Sequence, residues 1–292
     1  MVIDTSGFGF EFQDMPVMKT DFKVTGVQKD SLNETWEMPW GEQREVRNRY
    51  NAARIVLQEQ EAPGRQLILH FRAYEDGVAF RYEFPEQPGR DTLYITEELT
   101  EFQLTGDHMA WWIPGDWDIY EHLYNTTRVS EIDALSKRDH PNLASTYIPE
   151  NAVNTPVTMR TEEGLHLSFH EADLTDYAGM TLRVDRDNLK LSSGLVGTGR
   201  HDYKVSGNLP FKTPWRTVQI SDRAGGLIRD LARHACPDAL IVQDLAMIPL
   251  ARQCGYQGEI HLSTLANAGF AGSLDWIRRQ LAVDQVVVPR EL

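Results

Sequence analysis

Residues 111–125 bring together the side-chain types from which sugar-binding and calcium-binding sites are built. The segment reads Trp-Trp-Ile-Pro-Gly-Asp-Trp-Asp-Ile-Tyr-Glu-His-Leu-Tyr-Asn and holds four acids or amides and five aromatic residues. A packed core prefers aliphatic side chains and rarely buries carboxylates that lack partners. A carbohydrate site instead needs flat aromatic faces beside hydrogen-bonding acids. The segment therefore predicts a site, or one wall of a site, for a sugar or a cation.

Two residues of this segment are candidate substrate ligands. Trp111 and Trp112 would point to opposite faces of an extended chain, so one ring is expected in the core and the other beside a ligand. We assign Trp112 to substrate binding, together with Asp116. The alternative for Asp116, Asp118 and Asn125 is that they form turns through their own side chains.

Other clusters of polar residues favour structural roles. His170 and Glu171, followed by Asp176 and Tyr177, suggest either a metal or acid–base cluster or a buried hydrogen-bond network, and we favour the network. The spacing of Gly194, Gly197 and Gly199 resembles a phosphate-binding loop. No Lys-Ser or Lys-Thr follows and no helix is predicted there, so a β loop is expected.

The two cysteines, Cys236 and Cys254, are too few for a disulfide framework. Together with His234 and His261 they lack the spacing of a metal site, so buried free thiols are expected.

Composition limits the partners that the chain can bind. The 292 residues carry a formal net charge of −14, which argues against nucleic acid as a partner and suits neutral or cationic ligands. No apolar run is long enough for a membrane span, and no signal peptide is visible after Met1, which leaves localisation open.

The chain changes character near residue 222, which predicts two domains, 1–222 and 223–292. Residues 1–222 hold 36 of the 43 acidic residues, and no lysine follows Lys212. Strands are predicted at 66–74, 78–84, 92–95, 157–160, 165–169, 180–184 and 215–220, with Glu-Asp-Gly at 75–77 as a hairpin turn. These elements predict a mainly β fold, a large antiparallel β-sandwich.

The second domain alternates strands with helices, which indicates βα units on a parallel sheet. Strands are predicted at 239–243, 259–263 and 285–288, and helices at 224–235, 245–254 and 274–281. Three strands cannot close a (β/α)8 barrel, so this short α/β region resembles the start of one.

Spaced motifs in residues 1–228 resemble the N-terminal β-sandwich of glycoside hydrolase family 97. The motifs are Trp-Gly-Glu at 40–42, Val-Arg-Asn at 46–48, Tyr-Asn at 50–51, Phe-Arg-Ala-Tyr at 71–74, residues 76–82, residues 111–125, residues 170–174 with 176–177, and Thr-Pro-Trp-Arg at 213–216. The match begins with residues that resemble an internal family segment, as if the first strands were missing.

The resemblance implies an accessory role in a calcium-dependent α-glycosidase. Family members, α-glucosidases and α-galactosidases among them, join this sandwich to a catalytic (β/α)8 barrel that supplies most of the catalytic groups. They are commonly exported. A sandwich loop supplies one calcium ligand, which in this sequence we assign to Glu121. The expected substrate is an α-linked oligosaccharide, and no catalytic residue is expected in this chain.

The tail, about residues 229–292, resembles a fragment of the collagenase-like peptidase family. The similar segments are 237–245, 260–264 with 266–267, and 286–292, but the Cys-rich signature of that family does not follow within the sequence. Two alternatives to the accessory role therefore remain: a stand-alone carbohydrate-binding or interaction module, and, as the weakest, a peptidase-related protein.

Overall fold

Strands make up most of the described part of the chain. The structure, a computed structural model, describes residues 1–37, 45–87, 89–138 and 146–227, and beyond these residue 248 and the backbone of three short strands. Two short 3-10 helices, Val129–Glu131 and Leu135–Lys137, and a helical turn at 224–227 interrupt the strands. No helix of the described residues is both long and apolar enough to cross a membrane.

The first eighteen strands include a long connection between β10 and β11, residues 129–151, which carries the two 3-10 helices. In chain order they are β1 Ile3–Asp4, β2 Phe10–Phe12, β3 Phe22–Glu37, β4 Glu45–Glu59, β5 Gln66–Tyr74, β6 Gly77–Phe84, β7 Thr92–Glu98, β8 Glu101–Leu104, β9 Met109–Trp112, β10 Asn125–Arg128, β11 Ala152–Asn154, β12 Val157–Arg160, β13 His166–Ala172, β14 Gly179–Asp185, β15 Lys190–Val196, β16 Val205–Asn208, β17 Phe211–Lys212 and β18 Trp215–Ser221.

Antiparallel sheets packed face to face confirm the predicted mainly β sandwich. The largest sheet has the order β10-β9-β12-β13-β18-β6-β5-β4-β3, with β17 paired to β6. A second sheet has the order β1-β8-β15-β14-β11, and a third has the order β16-β7-β2. The hairpin of β5 and β6 turns at 75–76, where Tyr74 pairs with Gly77. A Cβ at Gly77 would lie 2.4 Å from the Val218 carbonyl oxygen, so this turn needs glycine.

Two apolar clusters fill the space between the sheets, because alternate side chains of each strand point to one face. Between the largest and the second sheet, Trp112, Phe169 and Met159 meet Phe102 and Leu182. Between the largest and the third sheet, Leu67, Leu69, Tyr82 and Phe84 meet Phe10 and Ile95. This packing fixes the ends of β9 and β10, between which the candidate site lies.

The chain divides into two units, Met1–Ser31 with Tyr50–Ile220, and Leu32–Arg49 with Ser221–Leu292. In the second unit, β19 Ala239–Val242, β20 Glu259–Leu262 and β21 Gln285–Val286 form a parallel sheet. This pairing agrees with the predicted βα pattern. The predicted helices lie outside the described residues, except for residues 224–227 and 248, which are helical. The domain boundary after residue 222 stays a prediction.

Candidate functional site

The segment singled out in the sequence forms one connection between two paired strands. β9 and β10 are antiparallel, with Trp112 opposite Asn125, so residues 113–124 leave the sheet and return to the same place. At the return, the Asn125 amide donates to the carbonyl oxygen of Leu123 at 3.1 Å. The two ends of the loop are therefore held by the sheet. Its first half is held as well, because the N–H groups of Gly115 and Trp117 donate to the carbonyl oxygens of Ala152 at 2.8 Å and Thr146 at 2.9 Å.

Asp116 organises this loop from within. Its carboxylate oxygen Oδ1 accepts hydrogen bonds from the backbone N–H groups of Asp118 at 2.9 Å and Ile119 at 3.0 Å. The hydroxyl of Thr146 donates to the same oxygen, and Oδ2 lies 3.0 Å from His122 Nε2. Asp116 thus behaves as a turn-forming acid that binds the backbone of its own loop.

The environment of Asp116 keeps its carboxylate charged. Burial alone would raise the pKa, but the hydrogen bonds from Thr146, from the backbone of Asp118 and Ile119, and from His122 outweigh it, so the pKa lies below its ordinary value. The side chain is 0% exposed. The oxygens of Asp116 are occupied inside the protein, as in the turn-forming alternative, and its assignment to substrate binding stays a prediction.

Trp112 lies in the core. The alternation of Trp111 and Trp112 is as expected, but the core member is Trp112, which is 1% exposed and packs in the cluster with Met159 and Phe169. Its indole N–H donates to the Thr127 hydroxyl at 3.0 Å. The indole is enclosed by the core in this structure, and the assignment of Trp112 to substrate binding stays a prediction.

Glu121 has a different setting from Asp116. Its side chain is exposed, and among the described residues it makes no hydrogen bond or ion pair. The next residue, His122, is buried against Asp116 and stacks on Tyr147 with ring centroids 4.9 Å apart. The backbone next to Glu121 is therefore fixed, while its carboxylate points into solvent.

Exposed apolar side chains surround Glu121 along the loop. They are Trp117, Tyr120, Leu123 and Tyr124, each more than half exposed. No group of three or more His, Cys, Asp or Glu side chains in the described residues is arranged to hold a metal ion. The surface of the loop thus carries two exposed carboxylates, those of Asp118 and Glu121, together with several aromatic faces.

A second polar cluster centres on the fully buried pair Arg216 and Glu98. The guanidinium of Arg216 holds both oxygens of Glu98, with Nε at 2.8 Å and Nη2 at 2.6 Å, and its Nη1 lies 2.5 Å from Glu171. The hydroxyls of Tyr177 and Thr100 also donate to Glu98, at 2.9 Å and 2.7 Å. We call these five residues the Arg216 network.

The two carboxylates of the Arg216 network have opposite pKa shifts. Burial pushes the pKa of Glu98 upward, but the charge and hydrogen bonds of Arg216 outweigh it, so the pKa is lowered. For Glu171 the effect of burial is the larger one, and its pKa is raised in spite of Arg216. The network therefore shares one cation between an acid that stays ionised and an acid that is harder to ionise.

The network confirms part of the structural role predicted for residues 170–177. Glu171 and Tyr177 belong to it, whereas Asp176 is exposed, and the buried Nδ1 of His170 has no hydrogen-bond partner among the described residues. Glu98 and Arg216 were missed because nothing in the sequence links positions so far apart. The three glycines whose spacing resembles a phosphate-binding loop lie in β structure, as predicted. Gly194 lies in β15, and Gly197 and Gly199 follow it in a loop. Cys236, Cys254 and His234 lie outside the described residues.

Comparison with known proteins identifies the family. The model of the glycosyl-hydrolase 97 N-terminal domain matches residues 1–231, and that of peptidase family U32 matches residues 221–292. The first match covers most of the chain, and its fold is the sandwich described above. The chain therefore belongs to glycoside hydrolase family 97 through its N-terminal domain, and both resemblances seen in the sequence are confirmed.

Individual relatives agree with this assignment. A retaining alpha-galactosidase of Bacteroides thetaiotaomicron is 22% identical over 225 residues, which are 68% of this chain and 31% of that protein. A variant of a family 97 enzyme from Pseudoalteromonas sp. strain K8 is 28% identical with a TM-score of 0.70, over 98% of this chain and 42% of that one.

The same Pseudoalteromonas enzyme in complex with acarbose is 26% identical with a TM-score of 0.66, over 98% of this chain and 54% of that one. A beta-arabinopyranosidase shares the fold at 17% identity and a TM-score of 0.64, over 90% of this chain and 50% of that one. This chain thus spans about a third of its curated relative and about half of the solved structures.

Proposed function

We propose that residues 1–222 are the accessory domain of a calcium-dependent α-glycosidase, of α-glucosidase or α-galactosidase type. In this proposal the loop at 113–124 forms one wall of the sugar site. Glu121 provides a calcium ligand toward a catalytic (β/α)8 barrel. The observation that carries the proposal is the contrast within the loop: Asp116 fixes the backbone from inside, while Glu121 stays exposed and unpaired within the described residues.

The chemistry of Glu121 fits calcium, but only as part of a ligand set. Calcium takes six to eight oxygen ligands from carboxylates, carbonyls and water, and one glutamate supplies one or two of them. An ion bound there would polarise or orient water and sugar hydroxyls. The role of this chain is to hold the Glu121 carboxylate at the end of a rigid loop, so the chain alone should bind calcium weakly.

The exposed rings of the same loop support a role as a wall of a sugar site. Trp117, Tyr120 and Tyr124 are exposed on both sides of Glu121 in the sequence, and rings with a polar tip suit a surface that is wet on one side. In this proposal these three rings, in place of the buried Trp112, contact the substrate. The substrate in this proposal is an α-linked oligosaccharide.

Catalysis is assigned to the partner barrel. Glycoside hydrolysis needs two carboxyl groups flanking the bond, one acting as general acid and the other as base or nucleophile. Asp116, Glu98 and Glu171 are committed to buried partners. We therefore expect negligible hydrolysis of an aryl α-glucoside by this chain, and a turnover that Glu121→Gln abolished would overturn that expectation.

A hybrid enzyme tests the proposal. Residues 1–222 would replace the corresponding N-terminal segment of the Pseudoalteromonas family 97 enzyme, and hydrolysis of an aryl α-glucoside would be followed as calcium is added. We expect calcium-dependent activity that Glu121→Gln removes or shifts to much higher calcium concentrations. Glu86→Gln, another exposed glutamate without a partner in the described residues, is the matched control and should change nothing.

Two results would count against the proposal. One is a Glu121→Gln hybrid with the same calcium dependence as the unsubstituted hybrid. The other is a folded, unsubstituted hybrid that stays inactive at every calcium concentration.

A further inference from the structure

A cavity of about 440 Å³ opens beside the loop, next to Trp117 and Asp118. Its other walls come from residues 148–150, from β14 and β15, and from the connection at 197–204. Its volume lies within the range of small-molecule sites, about 300–1,000 Å³. None of the residues assigned to calcium or to the Arg216 network lines it.

The floor of the cavity carries two cations joined by one acid. Arg183 Nη2 lies 3.0 Å from Glu97, and Lys204 contacts the other oxygen of the same carboxylate. Arg183 Nη1 donates to the Ser193 carbonyl oxygen at 2.7 Å. Both cationic side chains remain about 30% exposed, so each can still present N–H groups to a ligand.

Two glycines keep this floor open. A Cβ at Gly194 would lie 3.3 Å from the guanidinium carbon of Arg183, and a Cβ at Gly197 would lie 2.8 Å from Cγ of Lys204. A larger residue at either place would press against one of the cations. The glycine spacing that resembles a phosphate loop in the sequence therefore has another use: it makes room for Arg183 and Lys204.

Flat rings form the sides of the cavity. His201 and Tyr203 stack with centroids 4.8 Å apart and an angle of 2° between the rings, and Tyr203 in turn contacts Tyr94 at 4.9 Å. Trp117 contributes a further exposed ring. Such rings offer large, rigid contact faces to the apolar side of a ligand.

The charges around the opening decide which ligands fit. Asp118, Glu150 and Asp202 are exposed acids at the cavity, while both cations are already paired with Glu97. The lining is therefore net negative and disfavours phosphates and other anions. A neutral ligand with many hydroxyls can donate to the acids, accept from the cations and lay its flat face on the rings.

We propose that this cavity is a binding site for a short, neutral oligosaccharide. The inference goes beyond the proposed function, because it requires neither calcium nor a catalytic barrel. The site would hold a sugar chain next to the loop that carries Glu121, and this chain alone would bind it.

Isothermal titration calorimetry of the full chain tests this site, with maltotriose and raffinose as neutral probes and trigalacturonate as the anionic one. We expect binding of at least one neutral probe and none of trigalacturonate. Tyr203→Ala should weaken the binding at least about tenfold, since it removes an aromatic contact face from the wall of the cavity. Asp202→Asn, an exposed and conservative change, should weaken it less. The matched control Trp36→Ala, at an exposed tryptophan of β3, should leave it unchanged.

The same experiment distinguishes a failure of the calcium proposal from a failure of the oligosaccharide site. Chelation of calcium or Glu121→Gln should leave the sugar binding intact. Absence of binding at several millimolar of both neutral probes, equal binding of trigalacturonate, or insensitivity to both Tyr203→Ala and Asp202→Asn would overturn the inference. Loss of sugar binding on chelation or in Glu121→Gln would also overturn it, because the sugar would then belong to the calcium site.

Discussion

The loop around Asp116 and the Arg216 network both enclose carboxylates, but their partners come from different distances along the chain. The partners of Asp116 include the backbone of residues 118 and 119 and the side chain of His122, within six positions of it. Glu98 is held by Arg216, which is 118 positions away. The first arrangement shapes one loop, and the second ties β18 to the end of β7.

The difference shows what a buried acid contributes in this protein. In each region the enclosed carboxylate is saturated by donors and serves structure. In the loop, Asp116 occupies the inside, while Glu121 stays exposed and has no partner among the described residues. We therefore expect the buried acids Asp116, Glu98 and Glu171 to serve stability and the exposed Glu121 to serve function. The following substitutions test this difference.

Removal of Arg216 should have the largest effect. Arg216→Met leaves Glu98 and Glu171 buried without their cation, and breaking a buried ion pair in this way costs about 3–5 kcal/mol. Urea unfolding followed by tryptophan fluorescence gives the free energy of unfolding. Arg160→Met, at an exposed arginine of β12, is the control and should stay within about 0.5 kcal/mol of the parent. A loss below about 1 kcal/mol in Arg216→Met would show that the network is not needed.

Asp116→Asn should cost less and act locally. The amide keeps one acceptor oxygen but loses the charge that strengthens four hydrogen bonds, so we expect a loss of about 1–3 kcal/mol. Hydrogen exchange should accelerate at the amides of Asp118 and Ile119, which donate to Asp116. Asp118→Asn, which alters an exposed acid of the same loop, should leave that exchange unchanged. If hydrogen exchange at both amides is unchanged in Asp116→Asn, Asp116 does not order the loop.

Asp116 and Glu171 should make stability depend on pH in opposite ways. The lowered pKa of Asp116 contributes stability that is present above the ordinary carboxyl pKa of 3.8 and is lost as pH falls through the folded value. The pKa of Glu171 is raised above its ordinary 4.5, so the folded protein binds that proton more tightly. Its contribution therefore falls as pH rises from 4.5 through the folded value.

Urea unfolding at a series of pH values, on the parent, Asp116→Asn and Glu171→Gln, measures these slopes. Asp116→Asn should flatten the loss of stability at the acid end, and Glu171→Gln should flatten the decline above pH 4.5. Parallel curves for the parent and both variants would show that neither group titrates differently on folding.

Glu121→Gln should have the smallest effect on stability. An exposed side chain without a partner in the described residues stabilises nothing that the change removes, so we expect a difference within about 0.5 kcal/mol. Urea unfolding of Glu121→Gln and of the control Glu86→Gln measures this difference in the free energy of unfolding. A clear destabilisation specific to Glu121→Gln would make Glu121 a structural residue.

Strands were predicted correctly where apolar and polar residues alternate or where the segment is strongly apolar. β5 and β12 have the predicted bounds, and the β5–β6 hairpin turns where Glu-Asp-Gly was expected. The long strands β3 and β4 were missed, because most of their side chains are exposed or half-buried and polar residues occupy both faces. Periodicity of apolar residues is the main signal for a strand, and it is weak there.

The site was predicted as a region but not residue by residue. The composition of 111–125 located the loop, yet which of its side chains are buried depends on distant contacts. Asp116 is enclosed partly by Thr146, 30 positions away, and Trp112 partly by Met159 and Phe169, which lie 47 and 57 positions away. Local sequence does not contain that information, so the assignment of Trp112 and Asp116 to substrate binding rested on residue type alone. Glu97 and its two cations were missed for the same reason.

The calcium affinity of the hybrid enzyme, measured by isothermal titration calorimetry, tests the central claim most directly. If Glu121 is a calcium ligand, Glu121→Gln should weaken calcium binding at least about tenfold, because the number of charged oxygen ligands sets the affinity of such sites. Glu86→Gln should bind calcium as the unsubstituted hybrid does. Equal calcium affinity in the Glu121→Gln hybrid and the unsubstituted hybrid would contradict the role assigned to the loop.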